Sequence, residues 1–327
     1  MDKDALLKKF EKQNIPPPVR WPQGLTETFS SDKFMEFRDM PRWDVPPAVV
    51  ISVASSGAFI DKDQNPHQPM TTDEIRKSYM EAIEAGAVSL HLHVRDKEGK
   101  ATADLNVYHA VIDPIREKYG NNVVIDGGAM AGKTFRETMG PISEGLFDLA
   151  IVNPTTGLVG DRLRAMHPST IQAQAEYYRA CGVKPIIDIH DTACIDNTVR
   201  YLIKPGLLEK PYVWHLLLGL PGCFYMPNTM AVVEGMIYMV RRIRELDRNS
   251  VILVSDTSRA SIYMANFAIL LGLHVRVGME DSIWRYPHRD DKIESCREVV
   301  ESVVGISANL GRRPATAAEF RRMIGQG

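Results

Sequence analysis

The chain has 327 residues, 44% hydrophobic and 24% charged, with a formal net charge of -2. This is the composition of a globular domain and excludes collagen-like, low-complexity and strongly basic nucleic-acid-binding classes. No apolar run approaches the roughly 18 residues that cross a bilayer, so no membrane partner is expected. Four cysteines (Cys181, Cys194, Cys223, Cys296) without CxxC spacing argue against a disulfide framework and a thiolate zinc site, so reduced thiols and a cytosolic setting are expected.

The first 14 residues lack the apolar region of a signal peptide and read as a short, charged amphipathic helix. Residues 1–47 are otherwise irregular and rich in proline and aromatic residues. They are expected to form an arm whose Trp21, Phe34, Phe37 and Trp43 bury against the rest of the chain or a second subunit, because such rings are costly to leave in water. A homo-oligomer is the expected assembly. Residues 48–327 are expected to be one catalytic domain.

From Val49 onward, β-rich runs alternate with helical stretches. The runs are Val49–Ala54, Val88–Val94, Asn122–Asp126, Leu149–Asn153, Lys184–His190, Tyr212–Gly219, Ser250–Asp256 and His274–Glu280. Thr71 with Glu74 forms a capping box opening a helix that stops at Gly86. Ser169 is read as the cap of a helix ending near Gly182, and Asn228 as the cap of a long one. Eight strand–helix units predict a parallel sheet closed into a (β/α)8 TIM barrel. An open dinucleotide-binding sheet is disfavoured, since no GxGxxG turn follows the first strand.

Catalytic groups in such a barrel stand at the C-terminal ends of the strands. The second run ends in His91-Leu92-His93. Alternation puts both imidazoles on one face, a pair suited to a first-row metal rather than to two core histidines. The eighth run places Arg276, Gly278 and Glu280 on one face, and barrel closure brings Glu280 near the histidines. His91, His93 and Glu280 therefore form the candidate site for a divalent metal, with zinc favoured. Asp188 and His190 share a face of the fifth strand, and Asp126 ends the third. Gly219–Gly222 and Asn153–Gly157 could offer backbone N–H groups to an anion, or could be no more than tight turns.

These residues resemble the β-keto acid cleavage enzyme family. The resemblance rests on Glu84-Ala85-Gly86-Ala87 running into His91-Leu92-His93-Val94-Arg95-Asp96, on Leu218-Gly219-Leu220-Pro221-Gly222, and on His274-Val275-Arg276-Val277-Gly278-Met279-Glu280-Asp281. It extends from about Val49 to the Arg313-Pro314-Ala315-Thr316 segment. It implies a TIM barrel with zinc on His91, His93 and Glu280, and the conversion of a β-keto acid and acetyl-CoA into acetoacetate and a new acyl-CoA. It also implies Arg276 and Asp281 as the catalytic pair, Asp188 where the family carries a glutamate, Arg259 after the seventh strand, and a tetramer. Two departures bear on the substrate. Phe59 stands where a named member has a glutamate in the first βα loop, and Gly127 stands about where it has a serine. With that glutamate absent, the ammonium of an amine substrate would have to meet Asp188 or Asp126, and Gly222 belongs to the candidate substrate loops. The rival readings are a zinc hydrolase on the same barrel and a non-catalytic metal- or ligand-binding protein.

Overall fold

The computed structural model describes residues 2–15, 38, 40–128, 131–160, 162–223 and 229–326. It divides into two compact units, Met1–Asp44 and Val45–Gly327. In the first, Lys3–Lys12 is helical, with the Asp2 side chain accepting from the Asp4 N–H at its start and no residue buried. Trp43, expected to be buried, is 88% exposed in the single chain. Trp21, Phe34, Phe37 and Asn228 lie outside the described residues.

The second unit is a closed barrel of eight parallel strands in chain order. They are β1 (Ile51–Ala54), β2 (Ser89–Leu92), β3 (Val124–Gly127), β4 (Leu149–Val152), β5 (Lys184–Ile189), β6 (Val213–Leu218), β7 (Val251–Asp256) and β8 (His274–Val277). A helix follows each strand. One face of every strand packs against these helices through residues such as Leu90, Leu92, Val152, Ile187, Trp214 and Val277, forming the larger apolar core. Among the described residues no helix is long and apolar enough to cross a membrane.

Local sequence sets the helix limits. Thr71 and Glu74 close the capping box, and Gly86 ends that helix in the left-handed conformation. The helix expected to start at Ser169 starts earlier, at Pro168, with the His167 ring accepting from the Ser169 N–H. Proline is favoured at the first helical position, and that preference moves the boundary.

A second apolar cluster fills the N-terminal end of the barrel. Val50, Val124, Leu149, Ile186, Val213 and Leu253 meet Phe320 and Ile324, carried by the final helix Ala317–Met323 and its C-cap. Arg312 ties this plug down: its guanidinium donates to the carbonyls of Pro46, Ala48, Ile269 and Leu273. Ala48–Val49 pairs in parallel with Arg313–Pro314 alongside.

The barrel closes where β8 pairs with β1, Val275 opposite Ile51 and Val277 opposite Val53. Beyond Val277 the chain does not continue as a strand, as the alternation had suggested, but turns. Gly278 has φ +143°, and a Cβ there would lie 2.1 Å from the Ala54 carbonyl oxygen. Only a hydrogen fits, and this close approach lets the Glu280 N–H donate to Ala54 O at 3.1 Å. Gly278→Ala is therefore expected to destabilise the fold by about 3 kcal/mol or more. Gly305→Ala, in the helix Cys296–Asn309 with open space around the position, should instead gain about 0.5–1 kcal/mol. Chemical denaturation of the two variants measures the contrast.

Candidate metal centre and active site

A cavity of about 740 Å³ opens at the C-terminal rim of the barrel, lined by His91, His93, Asp188, Arg276, Glu280 and Asp281 together with loop residues including Phe59. The expected ligand triad comes together here. His91, His93 and Glu280 each offer one ligand atom, all within 4.8 Å of one another. β2 ends at Leu92, yet the His93 ring still faces His91, edge to face at a centroid distance of 4.9 Å. Both Nε2 atoms lie 3.5 Å from Glu280 Oε1.

The donor set fits a metal ion. The Nδ1 of His91 lies 2.6 Å from Asp126 Oδ1, and Ser89 Oγ donates to the other carboxylate oxygen. This contact assigns the ring proton to Nδ1 and turns the Nε2 lone pair toward His93, whose Nε2 is 3.1 Å away. Two nitrogen lone pairs at that distance repel unless a proton or a cation lies between them. Burial and Arg276 press the His91 pKa down, but Glu280 and Asp126 outweigh them and raise it to about 9. Burial lowers His93 to about 4, with His91 adding to the effect against Glu280. The two rings thus compete for one positive charge. Glu280 Oε2 is buried without a hydrogen-bond partner among the described residues. Gly57 presses on this side chain from the first βα loop, where a Cβ would lie 2.5 Å from Glu280 Cγ.

Beside the triad, the Arg276 guanidinium donates to both oxygens of Asp281, Nη2 to Oδ1 at 2.5 Å and Nε to Oδ2 at 3.2 Å. Strand alternation alone separates these two residues. The turn at Gly278 brings them together, with Asp281 N–H donating to Gly278 O. Burial, helped by Glu280, pushes the Asp281 carboxyl up against the opposing pull of Arg276.

Across the barrel Asp188 is held on two sides. Asn153 Nδ2 donates to its Oδ2 at 2.7 Å, and the His215 ring lies 2.6 Å from its Oδ1. His215 Nε2 in turn lies 2.8 Å from Ser255 Oγ. Burial opposes the Asp188 charge, but His190, His215 and Arg276 hold the carboxyl well below the usual carboxylate range. The sequence reading missed His215. The signal was there, since it shares the inward parity of Val213 and Leu217 on β6, opposite Asp188 in register.

Other expected residues fall elsewhere. Asp126 is 3% exposed, faces His91 and is not among the residues lining the cavity. Arg259 stacks on Trp284 at 3.6 Å and pairs with Asp290 at 2.7 Å, and it is not among the residues lining the cavity. Gly222 packs against the Leu158 and Gly160 carbonyls, and Gly160 N–H donates to Pro221 O, so the Gly219–Gly222 loop docks a hairpin. That hairpin, Thr156–Val159 paired antiparallel with Arg162–Ala165, takes up the end of the Asn153–Gly157 stretch, which was read as an anion-binding loop or a tight turn.

A closed (β/α)8 barrel with two histidines, a glutamate and a buried Arg–Asp pair around one rim cavity is the architecture of a TIM-barrel enzyme with a metal-capable centre. The profile of the beta-keto acid cleavage enzymes matches residues 48–325, and the chain belongs to that family. It is 33% identical over 279 residues to the 3-keto-5-aminohexanoate cleavage enzyme of Fusobacterium nucleatum subsp. nucleatum, covering 84% of this chain and 97% of that protein. It is 27% identical over 301 residues to the 3-dehydrocarnitine:acetyl-CoA trimethylamine transferase of Rhizobium meliloti, covering 84% and 96%. Among solved structures, a ternary complex of ObcA with a C4-CoA adduct and oxalate superposes with a TM-score of 0.65 at 18% identity, over 80% of this chain and 68% of that one, a likeness of fold.

His91→Ala and His93→Ala are expected to abolish stoichiometric metal uptake, and Asp126→Asn to weaken it by about 10–100-fold while leaving the ligands in place. Elemental analysis and metal titration of the purified variants read both effects.

Proposed function

We propose that the chain is a zinc-dependent acyltransferase that converts a β-keto acid and acetyl-CoA into acetoacetate and a new acyl-CoA. The observation that carries this reading is the adjacency of the His91–His93–Glu280 triad and the Arg276–Asp281 pair in one rim cavity. His91, His93 and Glu280 would hold the ion, and when bound it supplies Lewis-acid polarisation of the keto and carboxylate oxygens of the substrate. Asp281 takes the proton from the α-carbon, a role suited to a carboxylate whose basicity burial increases. The carbanion then attacks the thioester carbonyl of acetyl-CoA, forming a carbon–carbon bond and releasing CoA thiolate. The thiolate adds to the substrate's original keto carbon. The bond between that carbon and the α-carbon breaks, giving the new acyl-CoA and acetoacetate, to which the proton returns. Arg276 keeps the Asp281 carboxylate oriented through its planar fork.

A zinc hydrolase built on an HxH strand is a poorer account. The pair here sits on β2 rather than on the first strand, and the Arg276–Asp281 pair suits proton abstraction at carbon. A closed structural metal site would need neither member of that pair.

The substrate proposed is a keto acid without a primary amine. Phe59 lines the cavity from the first βα loop. If a carboxylate at that place meets an ammonium group in the relative named for 3-keto-5-aminohexanoate, its absence removes a contact of about 4 kcal/mol before desolvation, at ~4 Å and an effective dielectric near 20. An aromatic face suits an apolar tail or a quaternary ammonium.

Two measurements test this. Asp281→Asn should retain metal and fold yet lose about 10²–10⁴-fold in kcat, and near-normal turnover would remove Asp281 from the base role. In a panel of β-keto acids with acetyl-CoA, read by acetoacetate release, kcat/KM should favour substrates without a primary amine. A preference for 3-keto-5-aminohexanoate would refute the reading of Phe59.

A further inference from the structure

The acidic and imidazole groups crowd one end of the rim cavity. The opposite wall has a different character and takes no part in the chemistry above. It is made by Lys133, at the start of the helix that follows β3, and by the returning strand of the hairpin, Arg162, Leu163 and Arg164. Neither Lys133 Nζ nor the Arg162 guanidinium has an acidic partner among the described residues. The same lining carries exposed apolar side chains: Leu163 is 77% exposed and Phe135 is 44% exposed. Cations without an acidic partner in a lining that also carries exposed apolar side chains match a ligand that is itself part anionic and part flat and apolar.

The wall is also held in place. The Gly160 N–H donates to Pro221 O at 2.7 Å, and the Cys223 thiol donates to Leu158 O at 2.8 Å, so the hairpin is fastened to the loop after β6. Its turn-side residues project cations toward the cavity from a fixed base.

We propose that Lys133 and Arg162, with Leu163 and Phe135 of the same lining, form the binding site for the nucleotide end of the CoA thioester, the cations meeting its phosphates and the apolar faces its adenine. This rests on the functional reading above for the identity of the ligand. It adds that the long cofactor arm enters over the hairpin while the thioester reaches the triad.

The test is equilibrium binding by titration calorimetry, which needs no turnover and so separates this proposal from the reaction proposed above. Coenzyme A should bind the zinc-loaded wild-type chain more tightly than pantetheine, which lacks the phosphates and adenine. In Lys133→Ala/Arg162→Ala the advantage of coenzyme A over pantetheine should fall by about 10–100-fold, two charge-assisted contacts being lost. Added salt should erode the same advantage in the wild type. Circular dichroism verifies the fold of the variant, and Arg162→Glu, a single change on an exposed strand, gives a second reading of the same loss. A wild-type chain that binds both ligands equally, or a double variant that keeps the full advantage, overturns the proposal. A chain that binds coenzyme A as expected but releases acetoacetate from no β-keto acid sinks the reaction and leaves the wall standing.

Discussion

The seam between the first and last strands governs the rest of the molecule. β8 pairs with β1, and Ala54 at the end of β1 lies opposite His91 on β2. The chain that leaves β8 is therefore delivered to within reach of the histidines, provided it can turn at once. Gly278 permits the turn because its missing Cβ would otherwise strike the Ala54 carbonyl. Glu280 then joins the histidines and Asp281 folds back on Arg276. Candidate metal ligand and proposed base are successive residues on one backbone hydrogen-bonded to β1, so neither can shift without the other.

Charge in the barrel mouth follows from that geometry. Asp126, Asp188, Glu280 and Asp281 are all largely withdrawn from water, and the Arg276 guanidinium acts on Asp188, Glu280 and Asp281. Burying carboxylates without matching positive charge is costly. A proton between His91 and His93 would offset part of this, and a divalent ion would offset more of it than a proton can. At the same place burial, with Glu280 adding to it, raises the Asp281 carboxyl against the pull of Arg276.

Much of this was readable in the chain. The eight β-rich runs fell on the eight strands because a parallel barrel buries both faces of each strand, leaving short hydrophobic runs between capped helices. The His91–His93 pairing followed from period-two alternation. Arg276 with Asp281 did not, because that pairing depends on a turn that alternation cannot foresee; family resemblance pointed to it instead. His215 was hidden by its apolar neighbours, although its parity pointed inward toward Asp188. The hairpin was not foreseen, since Thr-Thr-Gly and Gly160 look like loop chemistry and its partner contacts come from the distant Pro221–Cys223 stretch. Asp126 was read as a substrate contact; the structure sets it against His91, a neighbour that its place at a strand end does not reveal.

At the opposite end of the barrel, Ala48–Val49 lies beside Arg313–Pro314, and Arg312 clasps the carbonyls of Pro46 and Ala48. The start of the barrel unit and the stretch that leads into its final helix are thus neighbours on the face away from the cavity. Topologically the unit is nearly a ring, cut on its quiet side. Such a layout tolerates circular permutation, with the old ends joined by a short linker and new ones opened in an exposed loop. It also lets the βα loops on the working side be exchanged or lengthened while the clasp that holds the ring shut stays the same.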